Sequence, residues 1–207
     1  MTLKSKYSIF HVQGGIGKHI AATAVAKCIK NNHPDRELVV VCAYPDIFLN
    51  LSYVKRVYQL GNTNYFYQNY VQDKDSLIFY HEPYYTTDHI HKKLPLIENW
   101  CKLYNLKFNN EKPILKFNKL QRNISKEVWT KGKKPVMVIH TNGGLITTDA
   151  KPYSWTRDMP EDLAQRIVDH YKNDYTIYQI TKLNSPKLKD ATHIFATPED
   201  SLSLLEF

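Results

Sequence analysis

Two glycine turns, each directly after an apolar segment, carry residue types that bind anions. The first, Gly14-Gly15-Ile16-Gly17-Lys18, follows the apolar segment Tyr7–Val12 and is followed by His19. Glycine leaves backbone N–H groups open to a ligand, and a helix that begins at such a turn adds its positive end. We therefore predict an anion site at the first turn, formed by Gly14, Gly15, Gly17 and Lys18.

The second glycine turn has the same setting. Thr141-Asn142-Gly143-Gly144 follows the apolar segment Val136–His140, and Arg157 lies downstream with a planar guanidinium suited to phosphate. The sequence predicts that phosphate oxygens bind at Thr141, Asn142, Gly143, Gly144 and Arg157. An ordinary strand-to-loop turn is the alternative for these glycines.

Two common nucleotide-binding motifs fit the first turn poorly. A P-loop needs a Ser or Thr after its Gly-Lys pair to hold magnesium, and His19 stands there. A dinucleotide-binding turn needs a third glycine where this chain has Ile20, and an acid after the second strand, which instead ends in Cys42-Ala43. A degenerate P-loop nucleotide-binding protein is therefore a less favoured alternative for this chain.

The elements that must position these turns follow an α/β pattern. Residues 7–42 predict a β-α-β unit, with strand Tyr7–Val12, a helix over positions 20–29 and strand Leu38–Cys42. Further strands are predicted at Val54–Leu60 and Asp75–Tyr80, and a helix at Leu94–Tyr104. Parallel strands joined in this way leave a ligand crevice at their carboxyl ends, beside the first glycine turn.

A second unit begins like the first. Strand Val136–His140, helix Pro160–Tyr171, strand Tyr175–Ile180 and a last helix from Glu199 are predicted there. The fold class is therefore α/β, with a Rossmann-like parallel-sheet domain over 1–110, a basic linker over 111–135 and a partial second Rossmann-like domain over 136–207. Two strands are too few to close the second domain, so we expect the chain to be truncated at its C-terminus.

Charge and cysteine content limit the partners and the compartment. The 207 residues carry a formal net charge of +8, and the excess lies between Cys101 and Pro135. This lysine-rich block reads as a linker, so nucleic-acid binding is not expected. Three cysteines without metal-ligand spacing favour a reducing compartment. No signal peptide or membrane span is visible, so we predict a cytoplasmic protein with, at most, peripheral membrane association.

Aromatic residues are concentrated between positions 65 and 85. They form either a wall that binds sugar rings or part of the core and an ordered loop; the set is Tyr65, Phe66, Tyr67, Tyr70, Phe79, Tyr80, Tyr84 and Tyr85. Five residues of the types that bind metals overlap or follow this stretch: His81, Glu82, Asp88, His89 and His91. Their spacing does not match a helix-based metal-ligand motif. We therefore expect a solvated loop there and no metal site.

The order of these motifs resembles a known enzyme family. The strand-Gly-Gly-Ile-Gly-helix opening, the second strand after Pro34 and the return strand Val54–Leu60 resemble the N-terminal half of the family 9, or heptosyltransferase-like, glycosyltransferases. The tract from Ile139 to Gly144, with Tyr153–Pro160, resembles the start of their C-terminal domain. The resemblance spans nearly the whole chain and implies a GT-B fold of two facing Rossmann-like domains.

The resemblance also implies a reaction. Such proteins transfer a sugar from a nucleotide-sugar donor to a saccharide acceptor, with inversion and without a metal or other cofactor. Their N-terminal domain takes the acceptor, and their C-terminal domain grips the donor diphosphate, which here implicates Thr141, Asn142, Gly143, Gly144 and Arg157. The nucleotide-sugar is a substrate.

The chain departs from the family at one position. An aspartate just after the N-terminal glycine turn is suggested as the family's base, and Lys18 stands in the matching position. An ammonium group cannot accept a proton, so we predict His19 as the substitute catalytic base. A noncatalytic relative that binds a saccharide or a phosphate is the alternative function, and a capping or solvent-facing role is the alternative for His19.

Overall fold

The chain divides into two compact units, residues 1–116 and residues 117–207. The computed structural model describes residues 4–120, 122–123, 134–142, 158–181 and 186–195. The first unit extends beyond residue 110 because the following segment packs onto it. The backbone N–H of Ile114 donates to Thr23 Oγ1 over 2.9 Å, and Asn50 Nδ2 donates to the Lys116 carbonyl over 2.9 Å.

A four-stranded parallel sheet forms the centre of the first unit. Its strands are β1 (Lys6–Val12), β2 (Glu37–Cys42), β3 (Val54–Gln59) and β4 (Asp75–Phe79), in the order β3-β2-β1-β4. The two central strands, β1 and β2, are the most buried of the four, because neighbouring strands and helices cover them. All four strands lie where the sequence predicts them, to within one residue at each end.

Helices flank this sheet and complete its core. They are α1 (Ile16–Asn32), α2 (Asp46–Leu49), α3 (Phe66–Tyr70), α4 (Thr87–Ile90) and α5 (Leu96–Leu103), with a 3₁₀ turn at Pro83–Tyr85. Ile29 of α1, Trp100 of α5 and Phe10 of β1 share one buried cluster. The α5 helix begins two residues later than predicted because Pro95, at φ −57° and ψ 150°, is extended and acts as its N-cap.

The second unit contains a separate parallel sheet. Its strands are β5 (Val136–Ile139), β6 (Thr176–Thr181) and β7 (Thr192–Phe195), in that order, and helix α6 (Glu161–Tyr171) packs Ala164 and Val168 against Ile139 and Ile177. The prediction of two strands was wrong, since this sheet has three. The sequence pattern misses β7 because this strand is only four residues long and opens with two polar residues. The helix predicted from Glu199 lies outside the described residues.

Both sheets are parallel and carry helices, which confirms the predicted α/β class. In the part of the chain that the structure describes, none of the helices combines the length and the apolar character needed to span a bilayer.

Candidate functional site

The first glycine turn joins the carboxyl end of β1 to helix α1. Gly14 has φ +97°, and a Cβ built on it would lie 3.3 Å from Lys18 Cδ. Gly15 is the N-cap of α1, and its carbonyl accepts the backbone N–H groups of Lys18 and His19 over 3.1 and 3.3 Å. Gly14 is therefore required both for its backbone conformation and for the passage of the Lys18 side chain.

Gly15 and Gly17 are not required by neighbouring atoms. A Cβ on either residue would meet nothing within 4 Å. Open space therefore borders the backbone at the start of α1, where N–H groups and the positive helix end attract an anion. Of the four predicted anion-site residues, Gly15 and Gly17 thus have the open surroundings that a bound anion needs.

Lys18 lies in the first turn of α1, and its charge is compensated inside the protein. Its side chain is only 7% exposed and forms an ion pair with Glu82. Its Nζ also lies 5.2 Å from the centre of the Tyr84 ring and 5.4 Å from that of Trp100. A buried ammonium needs such partners, so the Lys18–Glu82 ion pair, and not an isolated positive charge, faces the crevice.

Glu82 occupies a rigid segment directly after β4. Asn99 of α5 and Tyr104, which follows α5, hold this segment on both sides of Glu82: Tyr104 Oη donates to the His81 carbonyl over 2.9 Å, and Asn99 Nδ2 donates to the Pro83 carbonyl over 3.1 Å. Asn99 Nδ2 also donates to Thr86 Oγ1 over 2.7 Å. These hydrogen bonds fix the backbone around Glu82, while the Glu82 side chain remains 32% exposed to solvent.

Sequence reasoning assigned Glu82 only to a solvated loop. The missed signal is that Glu82 lies three residues beyond the end of strand β4. That strand pairs with β1 in parallel register, with Phe10 opposite Phe79. The carboxyl ends of paired parallel strands lie at one edge of a sheet, which brings Glu82 beside the first glycine turn.

The charge on Glu82 acts on the titratable groups around it. Burial lowers the pKa of His11, on β1, and the negative charge of Glu82 opposes that shift. Burial raises the pKa of Tyr84, and Glu82 adds to that rise. His11, Lys18, Glu82 and Tyr84 thus form one electrostatic cluster at the carboxyl edge of the first sheet, which we call the Glu82 cluster.

His19 lies beneath the glycine turn. Its side chain is fully buried; the backbone N–H of Ala43 donates to Nε2 over 3.1 Å, so the ring proton lies on Nδ1, which donates to the Gly15 carbonyl over 2.9 Å. Burial lowers the pKa of His19 and keeps it neutral. Both ring nitrogens connect the start of α1 to the end of β2, so this geometry favours a structural role over the predicted catalytic one.

The aromatic stretch divides between packing and exposure. Phe79 belongs to the main core, and Tyr58, Phe66 and Tyr70 pack ring against ring on the other face of the sheet. Tyr80, Tyr84 and Tyr85, which flank Glu82 in sequence, expose their side chains. Only this second group offers aromatic surface next to the Glu82 cluster.

In the second unit, a buried polar network holds the start of the second glycine turn. The Thr141 hydroxyl donates to Asn142 Oδ1 over 2.9 Å and accepts from Gln179 Nε2 at 3.4 Å. The backbone N–H of Leu188 donates to Gln179 Oε1 over 2.9 Å. Thr141 is therefore held beside β6 by Gln179, a residue that the sequence did not reveal. Gly143, Gly144 and Arg157 lie outside the described residues.

Within the described ranges, no three His, Cys, Asp or Glu side chains converge as metal ligands. His81, Glu82, Asp88, His89 and His91, all described, therefore do not assemble such a group. Glu82 is engaged by Lys18, and Asp88 by Lys102 over 2.6 Å.

Comparison with known proteins finds similarity in structure but not in sequence. No protein-family model matches the chain, and no curated protein matches it. A family 9 glycosyl transferase from Veillonella parvula superposes with a TM-score of 0.63 at 8% identity, over 88% of this chain and 64% of its own. This chain therefore spans less than two thirds of that protein's length.

Two Escherichia coli structures are also similar. ADP-heptose lps heptosyltransferase II has a TM-score of 0.61 at 8% identity, over 96% of this chain and 76% of its own. Heptosyltransferase WaaC with ADP has a TM-score of 0.52 at 9% identity, over 97% of this chain and 78% of its own. The chain thus has the fold of these glycosyltransferases, as its resemblance to family 9 implies.

Proposed function

We propose that this protein is glycosyltransferase-like and transfers a sugar from a nucleotide-sugar to a saccharide acceptor, with inversion and without a metal ion. The observation that carries the proposal is the fold shared with three solved glycosyltransferases over 88–97% of the chain. Fold likeness alone does not fix a function. The open glycine turn and the Glu82 cluster, at one edge of the first sheet, add the chemical groups that transfer requires.

The two glycine turns divide the substrates between them in this proposal. The open backbone at Gly15 and Gly17 receives the acceptor or an anionic group on it. Thr141, Asn142, Gly143, Gly144 and Arg157 receive the donor diphosphate. Without a metal ion, the charge that develops on the leaving diphosphate must be met by N–H donors and a guanidinium, which stabilise a transition state when they are held in place beforehand.

ADP-heptose is the first donor to test, because two of the similar structures are heptosyltransferases, one of ADP-heptose and one with ADP. Release of ADP from ADP-heptose would be measured with lipopolysaccharide core oligosaccharide as acceptor, in EDTA and again with Mg²⁺. We expect turnover that EDTA does not reduce and, by NMR, an anomeric configuration opposite to that of the donor. Loss of turnover in EDTA would contradict metal independence, and retention of configuration would contradict inversion.

A noncatalytic saccharide- or phosphate-binding protein is the second candidate. The observation that favours it is the buried Lys18–Glu82 pair, which stands where the family resemblance implies a catalytic aspartate. Calorimetric titration with ADP and with the core oligosaccharide separates the two candidates. Binding without turnover of any nucleotide-sugar favours the second candidate, and the absence of both overturns both.

A further inference from the structure

We propose that Glu82, in the segment that follows β4, is the catalytic base that takes the proton from the acceptor hydroxyl. This inference rests on the proposed transferase function and names a residue for it. It follows from three features of the Glu82 cluster: the place of the carboxylate, its fixation and its unused lone pairs.

Glu82 supplies a carboxylate beside the glycine turn. Lys18 occupies the sequence position that the resemblance gives to the family's aspartate, and the Glu82 carboxylate is in direct ion-pair contact with the end of the Lys18 side chain. A carboxylate is thus present near this turn although the residue after Gly17 is a cation. The open backbone of Gly15 and Gly17 lies on the same turn, so an acceptor bound there lies next to this carboxylate.

Fixation and exposure suit proton transfer. Hydrogen bonds from Tyr104 and Asn99 hold the residues on either side of Glu82, while about a third of its side chain, 32%, remains exposed. A base must keep a defined position within hydrogen-bond reach of the proton that it removes. The exposed rings of Tyr80, Tyr84 and Tyr85 add apolar surface on which a sugar ring can lie beside it.

The ion pair with Lys18 does not use all of the hydrogen-bonding capacity of Glu82. A carboxylate has about four lone-pair sites, so one ammonium partner leaves room for a hydroxyl. The other titratable groups that face Glu82 come from several elements: His11 on β1, His19 on α1, Tyr84 in the 3₁₀ turn and Tyr104 after α5. His19 has both nitrogens occupied, and burial disfavours ionisation of the two tyrosines.

The step balances as follows. The acceptor hydroxyl gives its proton to the Glu82 carboxylate while its oxygen forms a bond to the anomeric carbon of the donor sugar. The bond from that carbon to the diphosphate oxygen breaks, and its electron pair leaves with the nucleoside diphosphate. Glu82 becomes a neutral acid and returns its proton to water after product release.

The test compares four proteins in the ADP-heptose assay with core oligosaccharide: wild type, Glu82→Gln, Lys18→Met and Glu37→Gln. Glu37→Gln is the matched control because it also breaks a Lys–Glu pair, with Lys55 over 3.0 Å, on the exposed surface. We expect Glu82→Gln to lower kcat by about 10²–10⁴-fold with KM unchanged, and Glu37→Gln to match wild type.

Lys18→Met supplies a readout that separates a catalytic from a structural role. It breaks the same ion pair but keeps the Glu82 carboxylate, so turnover must persist in Lys18→Met and be lost in Glu82→Gln, whereas a merely structural pair would be impaired equally by both variants. Should Glu82→Gln fail to fold because Lys18 loses its partner, the double variant Lys18→Met/Glu82→Gln removes both charges and must remain inactive. Urea unfolding checks each variant.

The outcomes separate the two proposals. Wild-type turnover that Glu82→Gln or the double variant retains overturns the role of Glu82 and leaves the transferase function standing. A loss of kcat in Lys18→Met equal to that in Glu82→Gln also overturns the role of Glu82. Absence of turnover in the wild type overturns the transferase function and the role of Glu82 together.

Discussion

At the scale of single residues, His19 shows how burial changes what a titratable group can do. In the sequence it is a histidine beside a glycine turn, and the imidazole titrates near neutral pH. In the fold its two nitrogens satisfy the Gly15 carbonyl and the Ala43 N–H, and burial favours its neutral form. Glu82 shows the reverse, since a loop residue in the sequence becomes a fixed carboxylate beside the same turn.

We predict that His19→Ala lowers the free energy of unfolding by about 1–3 kcal/mol at pH 7.5, because it removes a fully buried side chain and leaves the Ala43 N–H without its acceptor. The folded-state pKa of His19 lies below its ordinary value of 6.5, so the unfolded chain binds more protons as the pH falls through this interval. The stabilisation is thus present above pH 6.5 and lost as the pH falls through the folded pKa.

Urea unfolding of wild type and His19→Ala between pH 7.5 and pH 5 measures both effects. The difference between the two proteins should shrink toward low pH. The exposed His91 gives the control, since His91→Ala should change stability by less than about 0.5 kcal/mol. A difference that stays constant with pH would mean that His19 titrates alike in both states.

At the scale of elements, the first glycine turn uses its glycines for different reasons. Gly14 turns the chain at φ +97° against the stem of Lys18, whereas Gly15 and Gly17 border open space. Only the backbone and the neighbouring side chains distinguish them, because the three residues are chemically identical in the sequence. The turn therefore combines one structural glycine with two that leave room for a ligand.

We predict opposite effects for two alanine substitutions in this turn. Gly14→Ala should destabilise the fold by about 1–3 kcal/mol, because it strains the backbone and crowds Lys18. Gly17→Ala should stabilise it by about 0.5–1 kcal/mol, because alanine is the better helix residue and its Cβ meets nothing. Thermal unfolding of the two variants measures both changes, and equal destabilisation would refute the distinction.

Ligand binding extends this comparison. If the backbone at Gly17 receives the acceptor, Gly17→Ala should weaken binding of the core oligosaccharide in calorimetry although the fold is more stable. Unchanged affinity in a stable Gly17→Ala variant would move the acceptor site away from this turn.

At the scale of the whole molecule, the two units have separate cores. Ile29 belongs to the cluster of the first unit, and Ile177 belongs to the cluster around β5, β6 and α6. The clusters share no residue. Within the described residues, each sheet is therefore stabilised by its own core.

We predict that one chemical change in each core acts locally. Ile29→Val and Ile177→Val should each cost about 0.5–1.5 kcal/mol, because each removes one buried methylene. Amide hydrogen exchange followed by mass spectrometry should show faster exchange only in peptides from residues 4–116 for Ile29→Val, and only in peptides from residues 134–181 for Ile177→Val. Faster exchange in both units from either variant would mean that they unfold together.

The sequence by itself determined the α/β class, the four strands of the first sheet and the first glycine turn. These follow from local pattern: apolar runs of strand length, helical spacing and glycines at their junctions. The second glycine turn stays a prediction, because Gly143 and Gly144 lie outside the described residues. The sequence did not predict strand β7, because its four residues begin with the polar Thr192 and His193 and form no apolar run of strand length.

Only the tertiary structure decided which side chains meet. The ion pair of Lys18 and Glu82 joins residues 64 positions apart in the chain, and the bond from Ala43 to His19 joins residues 24 apart. Parallel strand order creates both contacts, and no local spacing encodes that order. The physical reason is that the character of a charged or titratable group depends on its burial and its partners, which exist only once the chain has folded.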